Sequence, residues 1–117
     1  MVGSPNATPQ ATRQRFAAEP RDPVWAPRSE AALAVAYRTI NGLAPDLRIR
    51  CASTLCEVVG RTTRGSSSAS NRTMQALQGQ SLVKRLSANG LNSLSQGFSS
   101  PDKTSVAFVA YWTSAKP

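Results

Sequence analysis

Histidine is absent from the 117-residue sequence. That removes the commonest general base and the commonest metal ligand. Carboxylates are scarce too, with six Asp+Glu against 14 Lys+Arg and a formal net charge of +8. The only two cysteines are Cys51 and Cys56. A structural zinc site wants about four ligands, so no metal and no cofactor is expected. The C-x4-C spacing is also wrong for a thioredoxin-type C-x-x-C pair. Serines are plentiful, but a serine nucleophile needs a base. Ser81-Leu82-Val83-Lys84 matches a Ser-x-x-Lys pattern, yet Lys84 beside Arg85 on a helix reads as a solvated face. Gly60-Arg61-Thr62-Thr63-Arg64-Gly65-Ser66-Ser67 carries the glycines of a phosphate-binding loop with Ser66 in place of its lysine. The chain is therefore not expected to be an enzyme. No run of about 18 apolar residues exists, so no span of a membrane is expected.

Enough apolar material remains for one core, at 40 % hydrophobic against 17 % charged residues. It is unevenly spread. Residues 1–22 hold Pro5, Pro9 and Pro20 among small polar side chains, with Phe16 as the only aromatic. So little apolar surface does not offset chain entropy, and the segment reads as a disordered tether. Residues 23–115 read as a single α+β domain.

Helical periodicity opens that domain. Leu33, Ala36, Tyr37 and Ile40 make one stripe of a helix over about 27–41, with Pro27 and Glu30 in its first turns. Gly42 and Pro45 end it. Leu47, Ile49 and Cys51 then alternate with Arg48 and Arg50, and residues 55–59 read as the return strand. If residues 52–55 turn the chain, Cys51 faces Cys56, Arg50 faces Glu57 and Ile49 faces Val58. The register that makes an apolar face thus also makes a bondable cysteine pair, and a disulfide is expected. Such a bond in a small domain favours an oxidising compartment. The alternative is a pair of reduced, buried cysteines.

Further along, Met74 and Leu77 mark one helical stripe, and Leu82, Val83 and Leu86 a second, out of phase. Gly79 sits at the phase break, which predicts a kink or two short helices. Val106, Phe108, Ala110 and Trp112 alternate along a strand, and the turn signal at residues 99–102 implies a partner strand over about 91–98. The order α-β-β-α-β-β gives a two-layer α+β sandwich, an antiparallel sheet with two helices on one face. In layout alone it resembles a circularly permuted ferredoxin-like fold.

Two surface features stand out. Arg48, Arg50, Arg61, Arg64 and Arg72 are candidates for one anion-binding surface, since arginine suits bidentate contact with phosphate or carboxylate. Ala107, Val109 and Tyr111 share the sheet face opposite Phe108 and Trp112, an open apolar stripe and candidate partner surface. The ordinary alternatives are a charge that merely keeps the domain soluble and an unremarkable open face. No helix-turn-helix, RNP-type or zinc-finger pattern is present, and the aromatics do not interleave with the arginines.

Asp22-Pro23-Val24-Trp25-Ala26 followed by Glu30, together with Cys51-Ala52-Ser53-Thr54-Leu55-Cys56-Glu57-Val58, resembles a type of small, exported or anchored bacterial envelope protein. The likeness covers about residues 22–60. It implies export and a disulfide, with no catalytic residue to carry over. Met1 to Gln14 lacks the apolar stretch of a signal peptide, so the signal or anchor is expected to lie outside this sequence. The expected function is a non-catalytic, periplasmic or secreted binding or scaffold domain. It would recognise a protein partner or an anionic envelope polymer such as peptidoglycan or lipopolysaccharide. The alternative is a small basic nucleic-acid-binding protein acting through backbone electrostatics.

Overall fold

The alternating segments pair into one sheet in the computed structural model, which describes residues 9–63, 67–99 and 106–114. Eight elements follow in chain order: α1 (Pro9–Ala18), α2 (Trp25–Arg38), β1 (Arg48–Cys51), β2 (Leu55–Arg61), α3 (Ser67–Leu77), α4 (Gln80–Ser87), β3 (Leu91–Ser99) and β4 (Ala107–Ser114). The sheet order is β1-β2-β4-β3, with every neighbouring pair antiparallel. β2 and β3 therefore run parallel. The α3–α4 crossover joins them, and β4 fills the gap, as in a split β-α-β unit. The fold is α+β.

The first hairpin has the expected register, with Ile49 opposite Val58, Arg50 opposite Glu57 and Cys51 opposite Cys56. Cys51 and Cys56 are disulfide-bonded, with Cα atoms 4.0 Å apart. Ala52 N–H donates to the Leu55 carbonyl at 2.8 Å, so the next pair, the cysteines, is the close, non-hydrogen-bonded kind.

α2 starts two residues earlier than the apolar stripe suggests, because Asp22 caps it. Its Oδ1 accepts the N–H groups of Val24 at 2.8 Å and Trp25 at 2.7 Å. Its carbonyl takes the Ala26 N–H at 3.1 Å. Pro23, with no N–H to satisfy, lies in the turn between Asp22 and the helix. Leu33, Ala36 and Tyr37 are buried and Ile40 packs at the edge of the core. The chain leaves the helix through Gly42 at φ +91°. A side chain there would strike Thr73 Oγ1.

The second helical region is broken at Gly79, which is extended at φ −80°, ψ 159°. That break lets Leu77 of α3 and Leu82 and Leu86 of α4 reach one core despite their phase difference. Among the described side chains of α3, Thr73 and Leu77 are buried and Met74 is half-exposed. β3 carries a register shift between Ser93 and Ser95. α2 and α4 cover the sheet face that presents the disulfide, Val58, Phe108, Ala110 and Trp112.

Residues 9–22 differ from the tether expected over 1–22. Pro9–Ala18 form a helix, α1, that lies on the opposite sheet face and touches β2, β3 and β4. Thr12 is fully buried there, and the Phe16 ring meets the Tyr111 ring at 6.4 Å between centroids. The physical reason is an apolar sheet face, Leu55 and Tyr111, that gives even one aromatic something to cover. Residues 1–8 lie outside the described residues.

Candidate functional site

Strand alternation sends Arg48 and Arg50 of β1, Glu57 and Val59 of β2, and Val109 and Tyr111 of β4 to the face away from α2. α1 crosses only part of that face. Between its flank and the uncovered strands lies a groove of about 470 Å³, lined by those six residues and Arg13 of α1.

Glu19, just past the end of α1, secures the helix to the hairpin turn. Its Oε1 accepts the Ser53 N–H at 3.3 Å, the Ser53 hydroxyl at 3.2 Å and the Thr54 N–H at 2.9 Å. Its Oε2 accepts the Thr54 hydroxyl at 2.5 Å. Burial alone would raise the Glu19 pKa, but the hydrogen bonds from Thr54 and Ser53 outweigh it and hold the carboxyl below its ordinary value. The disulfide closes the turn that presents those donors.

Inside the groove the charges are unequal. Glu57 is 8 % exposed and fully engaged, accepting from the Tyr111 hydroxyl at 2.8 Å and from Arg50 at 3.1 Å. Burial, reinforced by the hydrogen bond and charge of Glu57, pushes the Tyr111 pKa upward, so its hydroxyl stays a neutral donor. Arg50 also stands over the Phe16 ring, 5.7 Å from its centroid. Arg13 and Arg48 are exposed and have no carboxylate partner among the described residues. Three guanidinium groups thus surround an apolar floor of Val59 and Val109, with one carboxylate already neutralised. That arrangement attracts and orients anions.

The five candidate arginines do not form one surface. Arg48 and Arg50 line the groove. Arg61 is turned to Asp46, Nε to Oδ2 at 3.0 Å. Arg72 lies with Arg85 along a separate depression of about 830 Å³ beside α3 and α4. Arg64 lies outside the described residues. The expected partner stripe is divided as well. Tyr111 is only 1 % exposed, because α1 covers it, so it is no open surface. Val109 lines the groove and Ala107 a shallower hollow next to it. Arg13, Glu57 and Val59 were not singled out by sequence. For Arg13 the signal was present: Thr12 and Phe16 at i, i+4 among Ala, Gln and Arg describe a helix with one anchoring face.

Among the described residues no group of three or more His, Cys, Asp or Glu could hold a metal ion, and no helix is long and apolar enough to cross a membrane. No family model, no curated protein and no solved structure matches the chain, so its function is to be read from the groove itself.

Proposed function

We propose that this chain is a non-catalytic, exported binding domain whose groove takes an anionic ligand, in the first place an envelope polymer bearing phosphate or carboxylate groups. The observation that carries the reading is the convergence of Arg13, Arg48 and Arg50 around the Val59–Val109 floor, with Glu57 already satisfied. Two features support the compartment. The Cys51–Cys56 bond suits an oxidising environment. The resemblance of the 22–60 motifs to exported envelope proteins points the same way. The groove supplies cations, a neutral phenol and apolar surface, and its acid is engaged; these suit holding a ligand rather than transforming it.

Titration with lipopolysaccharide and with single-stranded DNA, at two salt concentrations, tests this reading. The double variant Arg13→Ala/Arg48→Ala, at two exposed positions, should weaken lipopolysaccharide binding about tenfold or more while keeping the unfolding midpoint. Equal binding by wild type and variant would remove the groove as the site. A clear preference for DNA would favour the nucleic-acid alternative.

A further inference from the structure

β1 is an edge strand. Since Cys51 and Cys56 form a non-hydrogen-bonded pair, the backbone groups of Cys51 point outward, and so do those of Ile49 two residues before. The two positions are treated differently. At Cys51 the edge is closed. Its N–H donates to Glu30 Oε2 at 2.8 Å and its carbonyl accepts from Arg21 at 3.4 Å, with Arg21 and Glu30 ion-paired. At Ile49 the outward N–H and C=O have no partner among the described residues.

Beside the open stretch lies a hollow of about 390 Å³ between α2 and β1, lined by Ala34, Tyr37 and Arg38 on one side and Leu43, Leu47 and Ile49 on the other. A free strand edge next to a hollow with Leu43, Leu47 and Ile49 along its strand side is the geometry of β-strand addition. Main-chain hydrogen bonds give the affinity in that mode, and alternate side chains give the choice of partner.

The flanking charges identify the occupant. Arg48 and Arg50 stand on either side of Ile49, on the other face of the sheet. In an added strand, the residue opposite Ile49 shares its face and looks toward the hollow. The residues opposite Arg48 and Arg50 share theirs. Like charges placed directly opposite are destabilising and unlike charges stabilising. A second copy paired edge to edge would set arginine against arginine in a chain of net charge +8. Residues 1–8 of this chain contain no carboxylate. We infer that the open half of the β1 edge receives an extended segment of a partner protein in which an apolar residue is flanked by acidic ones. The Arg21–Glu30 pair stops the added strand at Cys51.

A labelled peptide, Ser-Glu-Ile-Glu-Val-Ser with blocked ends, tests this by fluorescence anisotropy on the full, oxidised chain. Two comparison peptides replace both Glu by Lys or carry an N-methyl group on the Ile amide. The parent peptide should bind, the Lys peptide should not, and N-methylation should weaken binding about tenfold by removing one ladder bond. Arg48→Glu should shift preference toward a peptide with Lys opposite that position. Arg13→Ala, on α1 at the side of the groove away from β1, should weaken polymer binding but leave peptide affinity unchanged, so failure here and failure of the groove reading are distinguishable. Equal binding of the N-methylated peptide would overturn the inference, because charge alone would then suffice. So would no binding of the parent peptide, or a dimer in sedimentation velocity that Arg48→Glu abolishes.

Discussion

Trp112 Nε1 donates a hydrogen bond to the Tyr37 hydroxyl at 3.0 Å, joining β4 to α2 inside the core. Both residues are at most 1 % exposed, so neither group has water as a substitute. The Tyr37 ring also lies parallel to Phe108, with centroids 6.3 Å apart. Burial pushes the Tyr37 pKa upward, which keeps the hydroxyl neutral. Tyr37→Phe keeps the ring and strands the Trp112 N–H. The expected loss is about 1–3 kcal/mol, the cost of an unsatisfied buried donor. Urea unfolding measures it, and an unchanged midpoint would show that the indole finds another acceptor.

The disulfide closes a loop of only about six residues, for which chain entropy predicts a stabilisation of about 2 kcal/mol. Replacing Cys51 and Cys56 together by Ala should lower stability by that order without abolishing folding, because Phe108, Trp112, Leu33 and Leu86 remain as core. Intact mass after alkylation under non-reducing conditions checks the bond directly. Two labelled thiols in protein from an oxidising compartment would refute it.

Removal of residues 1–20 deletes α1 and the Glu19 anchor on Ser53 and Thr54. Tyr111 and Leu55 would then face water. The thermal midpoint should fall by about 4 °C or more, the shift expected for the loss of roughly 1 kcal/mol in a domain of this size. An unchanged midpoint would mean that the helix contributes nothing to stability.

Acid should destabilise the fold through three carboxylates. Glu30 is held below its ordinary pKa of 4.5, first by its hydrogen bond from Arg21. Asp22 is held below 3.8 by the N–H groups of Trp25 and Val24. Glu19 is lowered by Thr54 and Ser53 against the opposing effect of burial. A carboxyl whose folded pKa is depressed contributes stability above its unfolded value and loses it as pH falls through the folded value. Urea midpoints should therefore hold steady from about pH 7 to about pH 5 and drop below about pH 4. In Glu19→Gln/Glu30→Gln the drop should be shallower. A variant with the same acid limb as wild type would exclude these groups as its source.

The local pattern was informative wherever two chemical constraints coincided. Alternation over Leu47–Cys51 and the position of Cys56 each demand the same register, and the hairpin has it. Likewise, the phase break between Leu77 and Leu82 coincides with Gly79, and the helices part there. Sequence was misleading where a residue's partner comes from far along the chain. Tyr111 alternates like an outward residue, yet its exposure depends on whether another element lies over that face. Glu30 reads as a first-turn acid placed for the helix dipole, but its carboxylate serves Arg21 and the Cys51 N–H, 21 residues away.

Periodicity, the cysteine pair and the excess of arginine by themselves determined the α+β class, the disulfide-closed hairpin and a basic surface, because each is a matter of neighbours along the chain. Only the tertiary structure decided which arginines act together. Arg61 is occupied by Asp46, Arg72 lies on α3 away from the groove, and Arg13 joins Arg48 and Arg50. The reason is that α1 has too little apolar surface to announce itself as part of the fold, and gains its place only against a sheet face assembled from strands far along the sequence, β2, β3 and β4.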